Sequence, residues 1–155
     1  MLASQLRIYQ DTFTLAKTIS VYVDKMPRVF KFTLGERILD TAYDLFNHIQ
    51  MANMYKEERN EHLKMFIVRF ESLKTLIRMA FELRAIEGLG RQAEISRMME
   101  SIGRQVTAWK NSKTKRREAE SNAPLGQGVE NKSMPYLRDG VWNLPINGSS
   151  TLIQS

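Results

Sequence analysis

The sequence predicts an all-α protein, an antiparallel four-helix bundle followed by a flexible C-terminal tail. Three observations carry this. Apolar residues recur at spacings of three and four through four long segments, which places them on one side of a helix. No strand-like alternation of apolar and polar residues interrupts those segments. After Ser112 the helical period is lost, and Pro124, Gly126, Gly128, Pro135, Gly140, Pro145 and Gly148 fall at irregular intervals, a composition that breaks regular elements. The expected division is a bundle over residues 1–111 and a tail over residues 112–155, basic at first and then rich in glycine and proline.

The first helix is expected from about Ser4 to Asp24. Tyr9, Phe13, Ala16, Ser20 and Val23 share one face, and Ile8, Leu15, Ile19 and Tyr22 form a second apolar row. Pro27 disfavours helical geometry at Met26 and marks the first turn. The second helix is expected to start near Thr33, an N-cap with Glu36 three residues on as its capping box, and to run to about Met54. Its apolar face is Ile38, Leu39, Ala42, Leu45, Phe46, Ile49 and Ala52.

The third helix is the most informative, expected over Glu57 to Glu87. One stripe, His62/Leu63, Phe66, Phe70, Leu73, Ile77, Phe81 and Ile86, has the spacing of a bundle core. A second stripe, Met65, Leu76, Met79 and Leu83, lies roughly 120° round the helix. A second stripe needs a second partner, either another helix of the chain or a neighbouring subunit. Gly88-Leu89-Gly90 is expected to stop this helix. The fourth runs from about Arg91 to Asn111, with Ile95, Met98, Met99, Ile102, Val106 and Trp109 inward. Long helices joined by short connections favour antiparallel neighbours.

Composition bounds the function. The 155 residues suffice for one domain with a sizeable core, and 43% hydrophobic with 26% charged residues is ordinary globular composition. No apolar run approaches the ~20 residues of a membrane span, and Met1 to Ile8 lacks the pattern of a signal peptide. The chain has no cysteine, which excludes disulfides, thiolate metal sites and cysteine nucleophiles and is compatible with a cytoplasmic location. A net charge of +6 favours polyanionic partners, nucleic acid first. The same charge also serves solubility alone.

The cations are unevenly placed. Lys74, Arg78 and Arg84 lie beside the stripes of the third helix. From Arg104 to Arg117 there are six basic residues, Arg104, Lys110, Lys113, Lys115, Arg116 and Arg117, and no acid. Such a run at a helix end also suits the helix dipole. In the tail, Tyr136 and Trp142 sit in an aromatic-aliphatic patch. It reads equally as a docking motif that orders on a partner and as a loop that packs back on the bundle.

Catalytic chemistry is not visible. The two histidines, His48 and His62, each follow an acid by four residues, Asp44 and Glu58, the spacing of a helix-surface pair. A di-metal bundle wants Glu-x-x-His on two helices, and Leu45 and Arg59 occupy those places. Phosphate-loop and dinucleotide fingerprints are absent. The expectation is no catalytic residue, no metal, no cofactor and no small-molecule substrate.

Four stretches together resemble a known family: Val21-Tyr22-Val23-Asp24-Lys25-Met26-Pro27-Arg28, Leu34-Gly35-Glu36-Arg37-Ile38, Leu76-Ile77-Arg78-Met79-Ala80-Phe81-Glu82-Leu83 and Ile102-Gly103-Arg104-Gln105-Val106-Thr107-Ala108-Trp109. Over about residues 9–112 the chain resembles the Avd family, the accessory variability determinants of diversity-generating retroelements. These belong with a wider set of small four-helix-bundle proteins, including those encoded by intervening sequences in ribosomal RNA genes. The resemblance implies a non-enzymatic accessory protein that forms a homo-oligomeric ring, a pentamer. Its implied partners are the element's reverse transcriptase and template RNA during mutagenic copying. By that analogy Arg78, Arg84, Arg104 and Lys110 are candidate RNA or polymerase contacts. An intervening-sequence-type bundle without a polymerase partner is the alternative, and an enzyme or metal-binding bundle the third.

Overall fold

The structure is a computed structural model, and it describes residues 1–122. Four long helices carry it: α1 (Arg7–Asp24), α2 (Glu36–Met54), α3 (Arg59–Glu82) and α4 (Leu89–Ser121). No strand occurs among the described residues. Cross-helix contacts descend along one helix as they ascend along its neighbour. On α1 and α4, Asp11 meets Gln105 and Tyr22 meets Glu94. On α2 and α3, Asp44 meets Arg69 and the Ala52 carbonyl meets Arg59. These two pairs, α1 with α4 and α2 with α3, therefore run antiparallel.

One core runs the length of the bundle. α1 contributes Ile8, Leu15, Ala16, Ile19 and Val23; α2 contributes Ile38, Ala42, Leu45, Ile49 and Ala52. α3 contributes Leu63, Phe66, Phe70, Leu73, Ile77 and Ala80, and α4 contributes Ile95, Met99, Ile102 and Val106. The expected faces of α2, α3 and α4 are the buried ones. On α1 the two apolar rows do not share burial equally. Phe13 is 51% exposed and only edges against Phe46, while Thr12 is buried in its place.

Four boundaries differ from the sequence reading. Helix α1 starts at Arg7, not Ser4, because Leu6 is extended and a short 3-10 turn (Ala3–Gln5) precedes it. The second correction concerns Thr33, which is not an N-cap. Helical backbone already begins after Pro27, whose carbonyl accepts from the amides of Phe30 and Lys31 at 2.9 Å. An α turn (Arg28–Phe30) and a π turn (Lys31–Gly35) then lead directly into α2. The Thr33 hydroxyl donates backwards, to the Val29 carbonyl at 2.9 Å. A proline at the start supplies the fixed φ that the local capping pattern appeared to supply.

The third correction is the end of α3, which stops at Glu82 rather than at Glu87. Arg84 takes φ +60°, the left-handed conformation that usually calls for glycine. Its amide donates to the Phe81 carbonyl at 3.1 Å, and the Ala85 amide donates to the Ala80 carbonyl at 2.8 Å. This is a Schellman cap with an arginine in the glycine position. Burial of Ala85 and Ile86 beneath it holds the strain in place. Gly88 sits at φ +115° just before α4, and Leu89 and Gly90 open that helix instead of closing α3. Fourth, α4 continues past Asn111 to Ser121. Residues 112–121, expected as the start of the tail, are helical.

Candidate interaction surfaces

Among the described residues the second stripe of α3 has no partner along most of its length. Met65 is 51% exposed, Met79 45% and Leu83 51%, and Val68 on the same side is 59% exposed. Leu76 alone is half-buried and packs on the core. Leu83 caps the helix rather than lying within it. An apolar row left open on a long helix is the kind of surface that marks a protein contact.

On the far side of α3 a groove of about 1090 Å³ lies against α4. Ile77, Phe81, Ile95, Met99 and Gly103 floor it, and Lys74, Arg78 and Arg104 stand on its rim. Three of the cations expected at a nucleic-acid or polymerase contact therefore come together here. Gly103 faces Phe70 across the two helices, and a Cβ there would make ordinary contact with that ring at 3.8 Å. Each rim cation also has a glutamate on its own helix. Lys74 lies 2.8 Å from Glu71, Arg78 2.9 Å from Glu82 and Arg104 3.4 Å from Glu100. The Glu82 hydrogen bond and charge raise the pKa of Arg78. Pairs this exposed are screened and exchange readily with an incoming phosphate.

The other candidates are placed separately. Arg84 is the left-handed cap residue, with Glu87 4.0 Å away. Lys110 is half-buried on α4. Lys113, Lys115, Arg116 and Arg117 continue α4. Tyr136 and Trp142 lie outside the described residues.

Polar contacts between helices were the least visible in the sequence. Arg69 donates to Asp44 at 2.9 Å, and His48 approaches the same carboxylate at 3.4 Å. His48 thus lies beside Asp44 as its spacing predicts, but neither ring nitrogen makes a hydrogen bond among the described residues. His62 instead packs at a tilt against the Tyr55 ring, with centroids 5.8 Å apart. The Tyr22 hydroxyl donates to Glu94 while Arg91 lies over its ring at 5.0 Å. Acceptance by Glu94, burial and the Glu94 charge raise the Tyr22 pKa, and Arg91 offsets part of this. Arg59 covers Trp109 at 5.2 Å and donates to the Ala52 carbonyl at 2.9 Å, joining α2, α3 and α4. The available signal was an arginine or carboxylate at the margin of an apolar face, such as Arg69 beside Phe66 and Phe70. Among the described residues no three metal-ligating side chains gather, and no helix is long and apolar enough to cross a membrane.

A model of the bAvd-like family matches residues 6–113. The chain belongs to this family. No curated protein and no solved structure matches it. The bAvd-like stretch opens one residue before α1 and closes within α4, so it takes in all four helices. The open stripe and the rim cations lie inside the bAvd-like region; Lys115, Arg116, Arg117, Tyr136 and Trp142 lie beyond it.

Proposed function

We propose that this chain is a non-catalytic accessory subunit of a diversity-generating retroelement. It assembles through the open stripe of α3 into a basic homo-oligomeric ring of five copies. The ring binds the element's reverse transcriptase and template RNA and supports mutagenic cDNA synthesis. Membership of the bAvd-like family is the observation that carries this reading. The exposed row of Met65, Val68, Met79 and Leu83 supports self-assembly.

Assembly gives the charge its leverage. One subunit offers a few paired, exposed cations, each worth little. A ring repeats them about an axis, so weak phosphate contacts add and binding falls steeply with salt. No base-reading pattern is visible, so sequence choice belongs to the polymerase–RNA complex.

Light scattering on the purified protein, alone and with the reverse transcriptase encoded beside it, tests this. A ring-sized mass that captures the polymerase is the expected result. A monomer that ignores the polymerase overturns it and leaves a bundle of the intervening-sequence type.

A further inference from the structure

The connection between α1 and α2 presents an aromatic ring among cations that the reading above does not use. Phe32 lies on the π turn (Lys31–Gly35) and is 54% exposed. Among the described residues no other aromatic ring packs on it. The Arg28 guanidinium lies 5.7 Å from its centroid and the Lys31 ammonium 5.9 Å. Both are near the outer limit of a cation–π contact, so the ring stays accessible. Val29, 71% exposed, lies one helical turn before it.

Charge separates this surface from the groove. No carboxylate occurs between Asp24 and Glu36, while Lys25, Arg28 and Lys31 do. Lys31 is held by Asp24 at 3.0 Å. Lys25 and Arg28 make no ion pair among the described residues. The groove cations, by contrast, each hold a glutamate.

The backbone beneath is fixed. Gly35 is buried, and a Cβ there would lie 2.8 Å from Val23 Cγ1 and 3.3 Å from Met26 Sδ. The π turn is thus pressed onto the end of α1. π turns are rare and recur at functional sites. A ring held rigidly in the open loses little entropy when something stacks on it.

We propose that Phe32 is a stacking platform for an unpaired nucleobase, with Lys25 and Arg28 taking the adjoining phosphates. The partner is single-stranded RNA, and this rests on the RNA-binding reading above. A planar, accessible ring beside the unpaired Arg28, in a segment that also carries Lys25 and Lys31 and no acid, suits a base and its backbone together. An aliphatic protein segment or a second copy of the chain would gain from Val29 but would leave the cations unanswered.

The test uses the full chain in its native assembly and a fluorescein-labelled single-stranded RNA of about 15 nucleotides. Anisotropy titrations across a salt series give affinity and slope. Phe32→Ala should weaken single-strand binding about tenfold and leave the salt slope unchanged, since no charge is removed. Phe32→Trp should restore it. Lys25→Ala with Arg28→Ala should lower the slope by about two. An RNA duplex, whose bases are already stacked, should bind wild type and Phe32→Ala alike. Phe13→Ala is the matched control, because that ring is 51% exposed with Lys17 at 5.7 Å but also packs on Phe46.

Tight wild-type binding unaltered by Phe32→Ala overturns the platform and leaves RNA binding standing. No wild-type binding overturns both. A fall in molar mass on Phe32→Ala assigns this face to a contact between copies and overturns the platform.

Discussion

Asp44 on α2 accepts a 2.9 Å hydrogen bond from Arg69 Nε on α3, and Asn47 Nδ2 donates to its other oxygen at 3.2 Å. Burial pushes this carboxyl up. Asn47, His48 and Arg69 outweigh burial and hold it below the ordinary value of about 3.8. A carboxyl depressed in the folded state contributes stability that is complete above that ordinary value. The contribution is lost as pH falls through the folded-state value. Asp44→Asn should therefore lower Tm at pH 6 and match wild type near the acid limit. Thermal melts of both proteins across pH 2–6 check this; an equal deficit at every pH would assign the cost to packing.

Gly35→Ala should destabilise the bundle by about 1–3 kcal/mol. The added methyl would meet Val23 Cγ1 at 2.8 Å, and Val23 is a buried, β-branched side chain with little rotamer freedom. Urea denaturation measures the loss. Val23→Ala in the same chain should make Gly35→Ala cheaper than it is alone, a coupling read from the double-mutant cycle.

Arg84→Gly should stabilise the fold by roughly 1 kcal/mol, because glycine accepts φ +60° without the Cβ clash. If Arg84 also contacts RNA, affinity should fall in the same variant. Paired denaturation and binding titrations separate the two roles. A variant that gains stability and keeps its affinity makes Arg84 a cap alone.

Met79→Glu, or Leu83→Glu, should shift the assembly to smaller species by light scattering while circular dichroism stays helical. Both side chains are about half exposed in the single chain, so a charge there costs the monomer little. An unchanged mass would remove the stripe from the interface.

Neutralising Arg78 and Arg104 together should weaken RNA binding and flatten its salt dependence by about two units of slope per subunit contact pair. Both stand on the rim of the α3–α4 groove. An unaltered slope would place the phosphate contacts elsewhere, on the Phe32 face or on the Lys113–Arg117 stretch.

The helices were legible because burial imposes a period, and the sequence shows that period at Ile38, Leu45 and Ile49 or at Phe66, Phe70, Leu73 and Ile77. What burial does not impose was hidden. Residues 112–121 are helical without an apolar face, so periodicity carried no signal although most of them are sound helix formers. Arg84 replaces the glycine of a cap, and only the burial of Ala85 and Ile86 explains it. Thr33 and Glu36 spelled a capping box, but Pro27 had already started the helix. The groove cations were visible as charges. Their glutamate partners, three or four residues away on the same helix, change what those charges offer. Phe32 was overlooked because one aromatic residue among cations has no period at all.

Helix α4 outruns its neighbours. Its Trp109 packs under Arg59 at the start of α3, and α4 runs on from there to Ser121, about 18 Å at 1.5 Å per residue. This overhang is a mechanical lever. A pull on Ser121 acts through a moment arm of that length, and its first fixed joint is the Arg59–Trp109 contact that ties three helices together. In the ring proposed above, each copy would bring one such lever.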